Sequence, residues 1–116
     1  MTTTQQAPFQ LPEQPLELDI VAKYFRGFGD PTRLRILEAL TDGERSVGEL
    51  VELIEAPQPK VSAHLACLRW CGYVDGRREG KFVYYRITDP RIRHLVELAR
   101  SVIADNAAAI LSCTRM

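Results

Sequence analysis

The sequence lacks the features that mark several large classes of protein. Its 116 residues carry 15 basic and 15 acidic side chains, so no excess of either sign points to a partner of opposite charge. No apolar run approaches the roughly 18 residues that a membrane helix needs. The first residues have neither the basic nor the apolar segment of a secretory signal. We therefore expect no secretion and no membrane partner.

Cysteine is scarce and odd in number. Three cysteines without secretory features favour reduced thiols in the cytoplasm over a disulfide framework. The sequence also has no nucleophile–base pair, phosphate-binding loop or hydrolytic metal set, so we expect no enzyme. The composition, 46% hydrophobic and 26% charged, is that of one ordinary globular domain.

Charge is distributed unevenly although it cancels over the whole chain. Residues 1–59 hold five basic and ten acidic side chains, a net charge of −5. Residues 60–86 hold six basic and two acidic side chains, a net charge of +4, and residues 87–116 have a net charge of +1. A basic middle segment in an otherwise acidic chain favours contact with a polyanion, although many solvated surfaces have the same pattern.

Apolar spacing predicts helices over the first half of the chain. A polar tail, residues 1–15, precedes a helical pattern over residues 16–28 that Gly29 ends. Asp30-Pro31 opens a second helix, because Asp accepts from free N–H groups and Pro fits the first turn. Its buried positions are expected at Leu34, Leu37 and Leu40.

A pair of shorter helices follows, joined by a tight turn. Ser46 and Glu49 fit a capping box at the start of the first of them. The turn, residues 56–59, contains two prolines, and the second helix is predicted from about Gln58 to Cys71. Its inward positions are expected at Val61, Leu65 and Leu68.

The period of the apolar residues then changes from helical to alternating. Residues 73–78 and 82–87 are predicted as two strands of a hairpin with Gly80 near its tip. Asp89-Pro90 opens a last helix, predicted to run to about Leu111. Residues 16–111 are therefore predicted as the folded domain, and residues 112–116 as a C-terminal tail.

This order of elements predicts a mainly α fold with a β-hairpin wing, a winged helix-turn-helix. In such a unit the second short helix enters the DNA major groove and the hairpin flanks it. Gln, Ser and His can bond base edges, while Lys and Arg neutralise phosphates. The candidate DNA-binding residues are Gln58, Lys60, Ser62 and His64 on the helix, and Arg77, Arg78 and Lys81 on the hairpin.

Three segments resemble the ArsR/SmtB family of repressors. The run Gly29–Leu37 is similar to the second-helix signature, and Val61-Ser62-Ala63-His64-Leu65 is similar to the recognition-helix signature. Gly80–Ile87 resembles the second wing strand. The resemblance implies a homodimeric winged-helix repressor of operator DNA, whose first and last helices form the dimer interface and whose DNA affinity falls on metal binding.

The three cysteines are the candidate metal ligands. Cys67 and Cys71 lie four residues apart on the predicted recognition helix and therefore share one face. They resemble the cysteine pair of the cadmium- and lead-sensing CmtR subgroup, which implies that Cys113, from the C-terminal region of the partner subunit, completes the site. We also expect Trp70 to pack beside these thiols.

Three thiolates form a soft site, and several inducers suit it. Cd(II) or Pb(II) is expected first because of the subgroup resemblance, and Hg(II) or As(III) also suits sulfur ligands. A thiol-oxidation switch is a further alternative, although cysteines four apart on an intact helix are poorly placed for a disulfide. A structural role, with the cysteines as small hydrophobic residues, is the plainest alternative.

Overall fold

The computed structural model describes residues 16–114, and the predicted tail 1–15 lies outside this range. The elements, in chain order, are α1 (Leu16–Phe28), α2 (Pro31–Ala39), β1 (Arg45–Ser46), α3 (Val47–Ile54), α4 (Gln58–Trp70), β2 (Val74–Glu79), β3 (Phe82–Ile87), α5 (Pro90–Asp105) and α6 (Ala107–Ser112). The predicted order of helices and hairpin is confirmed. Over this range no helix combines the length and the apolar character that a membrane crossing requires.

The chain divides into two compact units, one up to Asp30 and one from Pro31 onward. The first unit contains α1, in which the rings of Tyr24 and Phe28 meet edge to face with centroids 5.3 Å apart. No residue of α1 is buried. The large apolar side chains that α1 exposes are Leu16, Leu18, Val21 and Phe25.

The second unit has its hydrophobic core between α2, α3, α4, the hairpin and α5. Its fully buried side chains are Ile36, Leu37, Leu40, Leu50, Val61, Leu65, Leu68 and Val74. The three inward positions predicted for α4 are confirmed. For α2 the prediction is partly wrong: Ile36 is buried, whereas Leu34 is 37% exposed. The buried face of α2 consists of Thr32, Ile36 and Leu37, and Leu34 lies off that face.

The helix-turn-helix begins with the predicted capping box. The backbone N–H of Glu49 donates to the hydroxyl of Ser46 at 3.2 Å, and the backbone N–H of Ser46 donates to the Glu49 carboxylate at 2.8 Å. Helix α3 ends at Glu55, which adopts the left-handed conformation with φ +59°. After the turn, the N–H groups of Lys60 and Val61 donate to the carbonyl of Pro57 and start α4.

The wing is an antiparallel three-stranded sheet in the order β1-β3-β2. Opposite residues include Ser46 and Tyr84 on one side of β3, and Arg77 and Tyr84 on the other. Gly80 makes the hairpin turn with φ +61°, a conformation that glycine adopts without strain. Strand β1 was not predicted, since two residues are too short for an alternating pattern and become a strand only by pairing with β3.

The last helix is shorter than predicted. Asp89 caps its start by accepting from the N–H of Arg91 at 2.9 Å. The prediction of one helix to about Leu111 is wrong, because α5 ends at Asp105 and α6 follows after Asn106. The Asn106 side-chain amide donates to the carbonyl of Val102. Such bonds from a side chain to the backbone compete with the hydrogen bonds of the helix, so Asn favours helix ends over helix interiors.

Candidate DNA interface and thiol pair

Helix α4 carries the four candidate base- and phosphate-contacting residues. Gln58 and Lys60 are exposed, while Ser62 and His64 are half-buried. The opposite side of the helix is fixed in the core by Val61, Leu65 and Leu68. A rigidly held helix with a polar outer face is the geometry by which a helix-turn-helix reads the major groove.

His64 has a neighbour that sequence reasoning did not single out. The Nη1 atom of Arg33, on α2, lies 3.4 Å from Nδ1 of His64. Arg33 and His64 are 31 residues apart, so no local pattern connects them. Their contact links α2 to α4, the two helices that carry the first two family-like segments.

The three candidate basic residues of the wing differ in their surroundings. Arg78 and Lys81 are exposed, and the Lys81 ammonium lies 5.5 Å from the centre of the Phe82 ring. Arg77 instead forms ion pairs with Glu44 and Glu79. Its guanidinium also lies 5.1 Å from the centre of the Tyr84 ring, within the range of a cation–π contact.

The Arg77 contacts shift the protonation equilibria of both partners. The hydrogen bond from Arg77 lowers the pKa of Glu44 below its ordinary value of 4.5. The hydrogen bonds to Glu44 and Glu79 raise the pKa of Arg77 further above its already high ordinary value. Both groups therefore stay charged throughout the neutral range. Sequence reasoning missed Glu44, since it lies 33 residues from Arg77 and carries no motif.

The end of α4 is fixed by a Schellman motif. The N–H of Tyr73 donates to the carbonyl of Leu68 at 2.9 Å, and the N–H of Gly72 donates to the carbonyl of Arg69 at 3.1 Å. Gly72 has the positive φ, +86°, that this motif requires. The hydroxyl of Thr88 adds a 2.7 Å bond to the Gly72 carbonyl. The chain around Cys71 is therefore held in place between helix and wing.

The cysteine pair has the predicted spacing and is accessible. The N–H of Cys71 donates to the carbonyl of Cys67 at 3.0 Å, so the helical repeat continues through both residues. Cys67, Cys71 and Cys113 are all exposed as free thiols. Cys113 directly follows α6 in an extended conformation. Within one chain, residues 16–114 bring no three potential metal ligands together, so the fold of a single chain does not gather the three thiols.

Trp70 does not pack beside the thiols. Its side chain is 92% exposed at the last turn of α4, and the expectation that it packs there is wrong. The inward face of this turn is already occupied by the fully buried Leu68, and Trp70, two residues later, faces away from it. The indole of Trp70, the residue that precedes Cys71 in the chain, therefore lies in solvent.

Comparison with known proteins decides the family. Residues 30–75 match the model of the family described as "Bacterial regulatory protein, arsR family". Over 98 residues, 84% of this chain and 78% of the relative, the sequence is 51% identical to a probable mercury resistance operon repressor from Streptomyces lividans. The chain belongs to the ArsR family. The resemblance found in the three sequence segments is thus confirmed.

Two further relatives agree with this assignment. This ArsR-family chain is 42% identical over 85 residues to the transcriptional regulator CmtR of Mycobacterium bovis, with 72% of each chain covered. It also superposes on a homodimeric winged helix-turn-helix DNA-binding domain from Mycobacterium bovis with a TM-score of 0.70 and 33% identity. That match covers 78% of this chain and 83% of the other. The winged helix-turn-helix fold is therefore confirmed, and the chain is a DNA-binding transcriptional regulator, not an enzyme.

Proposed function

We propose that this chain is a homodimeric repressor that leaves its operator DNA when a thiophilic metal ion binds its cysteines. One observation carries the proposal. The two exposed thiols of Cys67 and Cys71 lie at the C-terminal end of the helix whose N-terminal half presents Gln58 and Lys60. Ligand binding at one end of a helix held in the core can therefore change how the other end meets DNA.

Contact with DNA is supported by the charge and exposure of the second unit. Lys60, Arg78 and Lys81 are exposed cations on the recognition helix and the wing. Ser62 and His64 offer hydrogen-bonding groups on the same helix. We assign the cations to phosphates and the helix residues, Gln58, Ser62 and His64, to base edges in the major groove. We therefore place this repressor in the cytoplasm, together with its operator DNA.

A homodimer is supported by apolar side chains left exposed near both ends of the chain. Helix α1 exposes Leu18 and Phe25 at 57% each. In the second unit, α5 and α6 expose further large apolar residues: Leu98, Val102, Ile103, Ile110 and Leu111. Apolar residues clustered on solvent-facing helices are typical of surfaces that another chain covers. The described homodimeric relative makes a second copy of this chain the natural partner.

The donor set fits a soft ion. Thiolate sulfur selects thiophilic metals, and the three free cysteines are accessible to solvent. Cys67 and Cys71 of one subunit would hold the ion, and Cys113 of the partner subunit would complete the site. Bound there, the ion supplies a cross-link between sulfur atoms. Two equivalent sites per dimer follow from two-fold symmetry.

Among the inducers, we put Hg(II) ahead of Cd(II) and Pb(II), the ions first expected from the sequence. The 51% identical relative is described as a probable mercury resistance operon repressor. Hg(II) also accepts two sulfur ligands readily, and Cys67 in α4 and Cys71 at its C-terminal cap offer two on adjacent turns. Cd(II), Pb(II) and As(III) remain the alternatives, each of which suits a site of three thiolates.

Release from DNA requires a difference in metal affinity between two states. The free dimer must bind the ion more tightly than the DNA-bound dimer does. Binding of the ion then weakens the affinity for DNA by the same factor. Holding Cys113 of the partner subunit against the last turn of α4 restrains that helix. A restrained helix that no longer fits the groove supplies the required difference.

The test is fluorescence anisotropy of a labelled DNA fragment from upstream of the chain's own coding sequence. Reduced protein, freed of added thiol and kept under nitrogen, is titrated with Hg(II), Cd(II), Pb(II), As(III) and Zn(II). We expect release by Hg(II) at the lowest concentration and no release by Zn(II). Cys67→Ser and Cys71→Ser should bind DNA as the wild type does but keep it when Hg(II) is added.

The controls separate the parts of this proposal. A variant with all three cysteines replaced by serine shows whether any release is independent of thiols. Release of the wild type by Cd(II) or Pb(II) at lower concentration than Hg(II) would change the inducer and leave the thiol site intact. Binding that is indifferent to all five ions, but sensitive to a thiol oxidant, would replace the metal site with a redox switch.

A further inference from the structure

We infer that Arg77 is a positioning residue that fixes the wing through Glu44, and that the wing's contacts with the DNA backbone come from Arg78 and Lys81. This inference rests on the proposed DNA binding. It changes the expectation from sequence, in which all three basic residues of the hairpin contact DNA. The reason is that each nitrogen of the Arg77 guanidinium already donates to a carboxylate of this chain.

All three nitrogens of the Arg77 guanidinium have carboxylate partners. Its Nε and Nη2 atoms each donate to a different oxygen of Glu44 at 2.8 Å, which is the parallel two-bond pairing of guanidinium and carboxylate. Its Nη1 atom donates to Glu79 at 2.6 Å. Three of its five N–H donors are thus taken by carboxylates, so a phosphate that approached this group would compete with Glu44 and Glu79.

The charge around Arg77 opposes the approach of phosphate as well. Arg77, Glu44 and Glu79 together have a net charge of −1, while Arg86 is a further cation close enough to lower the pKa of Glu44. By contrast, Arg78 and Lys81 are exposed, and neither forms an ion pair in the described part of the chain. Arg78 follows Arg77 in strand β2, and neighbouring side chains point to opposite faces of a strand. Arg78 is therefore separate from the Arg77 cluster, and Lys81 lies beyond it at the hairpin turn, over the ring of Phe82.

The Arg77–Glu44 pair spans the width of the wing. Glu44 directly precedes β1, Arg77 lies in β2, and these strands occupy the two edges of the sheet with β3 between them. The guanidinium lies over the ring of Tyr84, the β3 residue that pairs with Arg77 in the sheet. The pair thus ties the hairpin to the segment that leads into the helix-turn-helix. That segment is itself fixed to α2, because Nε of Arg45 donates to the carbonyl of Ala39 at 3.2 Å.

The expected effect is modest because the pair faces solvent. The side chains of Arg77 and Glu44 are 49% and 32% exposed, and exposed ion pairs stabilise a structure weakly. Removing the pair should weaken DNA binding by about two- to fivefold through a less restrained wing. Removing a group that binds phosphate should, in addition, make the DNA affinity less dependent on salt concentration.

The experiment measures DNA affinity against salt concentration for five variants of the metal-free full chain. The probe is the labelled upstream fragment, with a duplex of scrambled sequence as the non-specific reference. The variants are Arg77→Gln, Arg77→Lys, Glu44→Gln, Lys81→Gln and the double variant Glu44→Gln/Arg77→Gln. Thermal melting of each variant shows that any loss of affinity is not a loss of folding.

Positioning and phosphate binding give opposite results. If Arg77 positions the wing, Glu44→Gln weakens binding although it removes a negative charge, and Arg77→Lys weakens it nearly as much as Arg77→Gln. Lysine keeps the charge but cannot form the two parallel bonds. The slope of log affinity against log salt stays unchanged in these variants, and the double variant is no weaker than either single one. Lys81→Gln should reduce the slope by about 0.9 for each phosphate that the protein no longer neutralises.

Two results would overturn the inference. Tighter binding by Glu44→Gln with a steeper salt slope would mean that Arg77 contacts phosphate once released. Full affinity in Arg77→Lys with a reduced slope in Arg77→Gln would mean the same. Failure of the proposed function is distinguishable, because the wild type would then bind the upstream fragment no better than the scrambled duplex and Lys81→Gln would change nothing.

Discussion

Arg33 and His64, 31 residues apart, meet in the second unit with 3.4 Å between Nη1 and Nδ1. Arginine has no acceptor, so Nδ1 must accept in this contact. A neutral ring in this contact has its proton on Nε2. In the proposed complex with DNA, His64 then offers Nε2–H as a donor, which suits acceptors such as the O6 or N7 atoms of guanine.

The Arg33–His64 contact leads to a prediction about DNA affinity. Arg33→Met, which keeps length but removes the donor, should weaken binding by about threefold, the effect of one typical hydrogen bond. His64→Gln keeps an N–H donor near the place of Nε2 and should be milder than His64→Asn, for which we expect a loss of about tenfold. Anisotropy with the upstream fragment measures these affinities. A two-bond ¹H–¹⁵N spectrum should show the Nε2–H form in the wild type, and an Nδ1–H form would contradict the assignment.

The assignment of Cys113 to the partner subunit can be tested with a mixed dimer. One subunit has Cys113→Ser, and the other has Cys67→Ser together with Cys71→Ser. If ligands come from both subunits, this dimer keeps one complete site and should bind one Hg(II) with three sulfur ligands, against two in the wild type. Sulfur-to-metal charge-transfer absorption measures the stoichiometry. A mixed dimer with no three-sulfur site would assign all three thiols to the same chain.

The turn after α4 should be sensitive to loss of glycine. Gly72 has φ +86° with no atom within 4 Å of an added Cβ, so Gly72→Ala strains the backbone without a clash. We expect the free energy of unfolding to fall by about 1 kcal/mol. Gly48→Ala in α3, where contacts are ordinary, should raise it by about 0.5 kcal/mol. Urea denaturation of both variants checks the contrast, and equal effects would exclude the backbone explanation.

Asp89 gives the start of α5 a dependence on pH. Hydrogen bonds from the Arg91 guanidinium and then from its backbone N–H lower the pKa of Asp89 from 3.8 to about 2. The carboxylate therefore stabilises the folded state fully above pH 3.8, and this contribution is lost as the pH falls towards 2. Asp89→Asn keeps the cap acceptor but not the charge. The difference in unfolding free energy between wild type and Asp89→Asn should be constant near neutrality and shrink between pH 4 and 2. A difference that stays constant down to pH 2 would show that Arg91 does not stabilise the carboxylate.

Local patterns were enough to predict most of the elements. The capping box at Ser46 and Glu49, the stripe of Val61, Leu65 and Leu68, and the glycine-tipped hairpin all depend on residues within a few positions of each other. They were therefore readable without a structure. The family and its winged fold followed from short runs of the same kind. The candidate thiols were equally visible, since spacing by four residues defines one face of a helix.

Contacts between distant residues were decided by the tertiary structure alone. Nothing in the sequence pairs Glu44 with Arg77 or Arg33 with His64, because these partners are brought together only when strands and helices pack. The same holds for Leu34 and Trp70, whose exposure depends on which face of each helix the core leaves uncovered. The sequence by itself determined which elements form and what chemistry they present. Packing decided which charged residues pair within the fold and which stay exposed, since an ion pair such as Arg77–Glu44 forms only when distant segments meet.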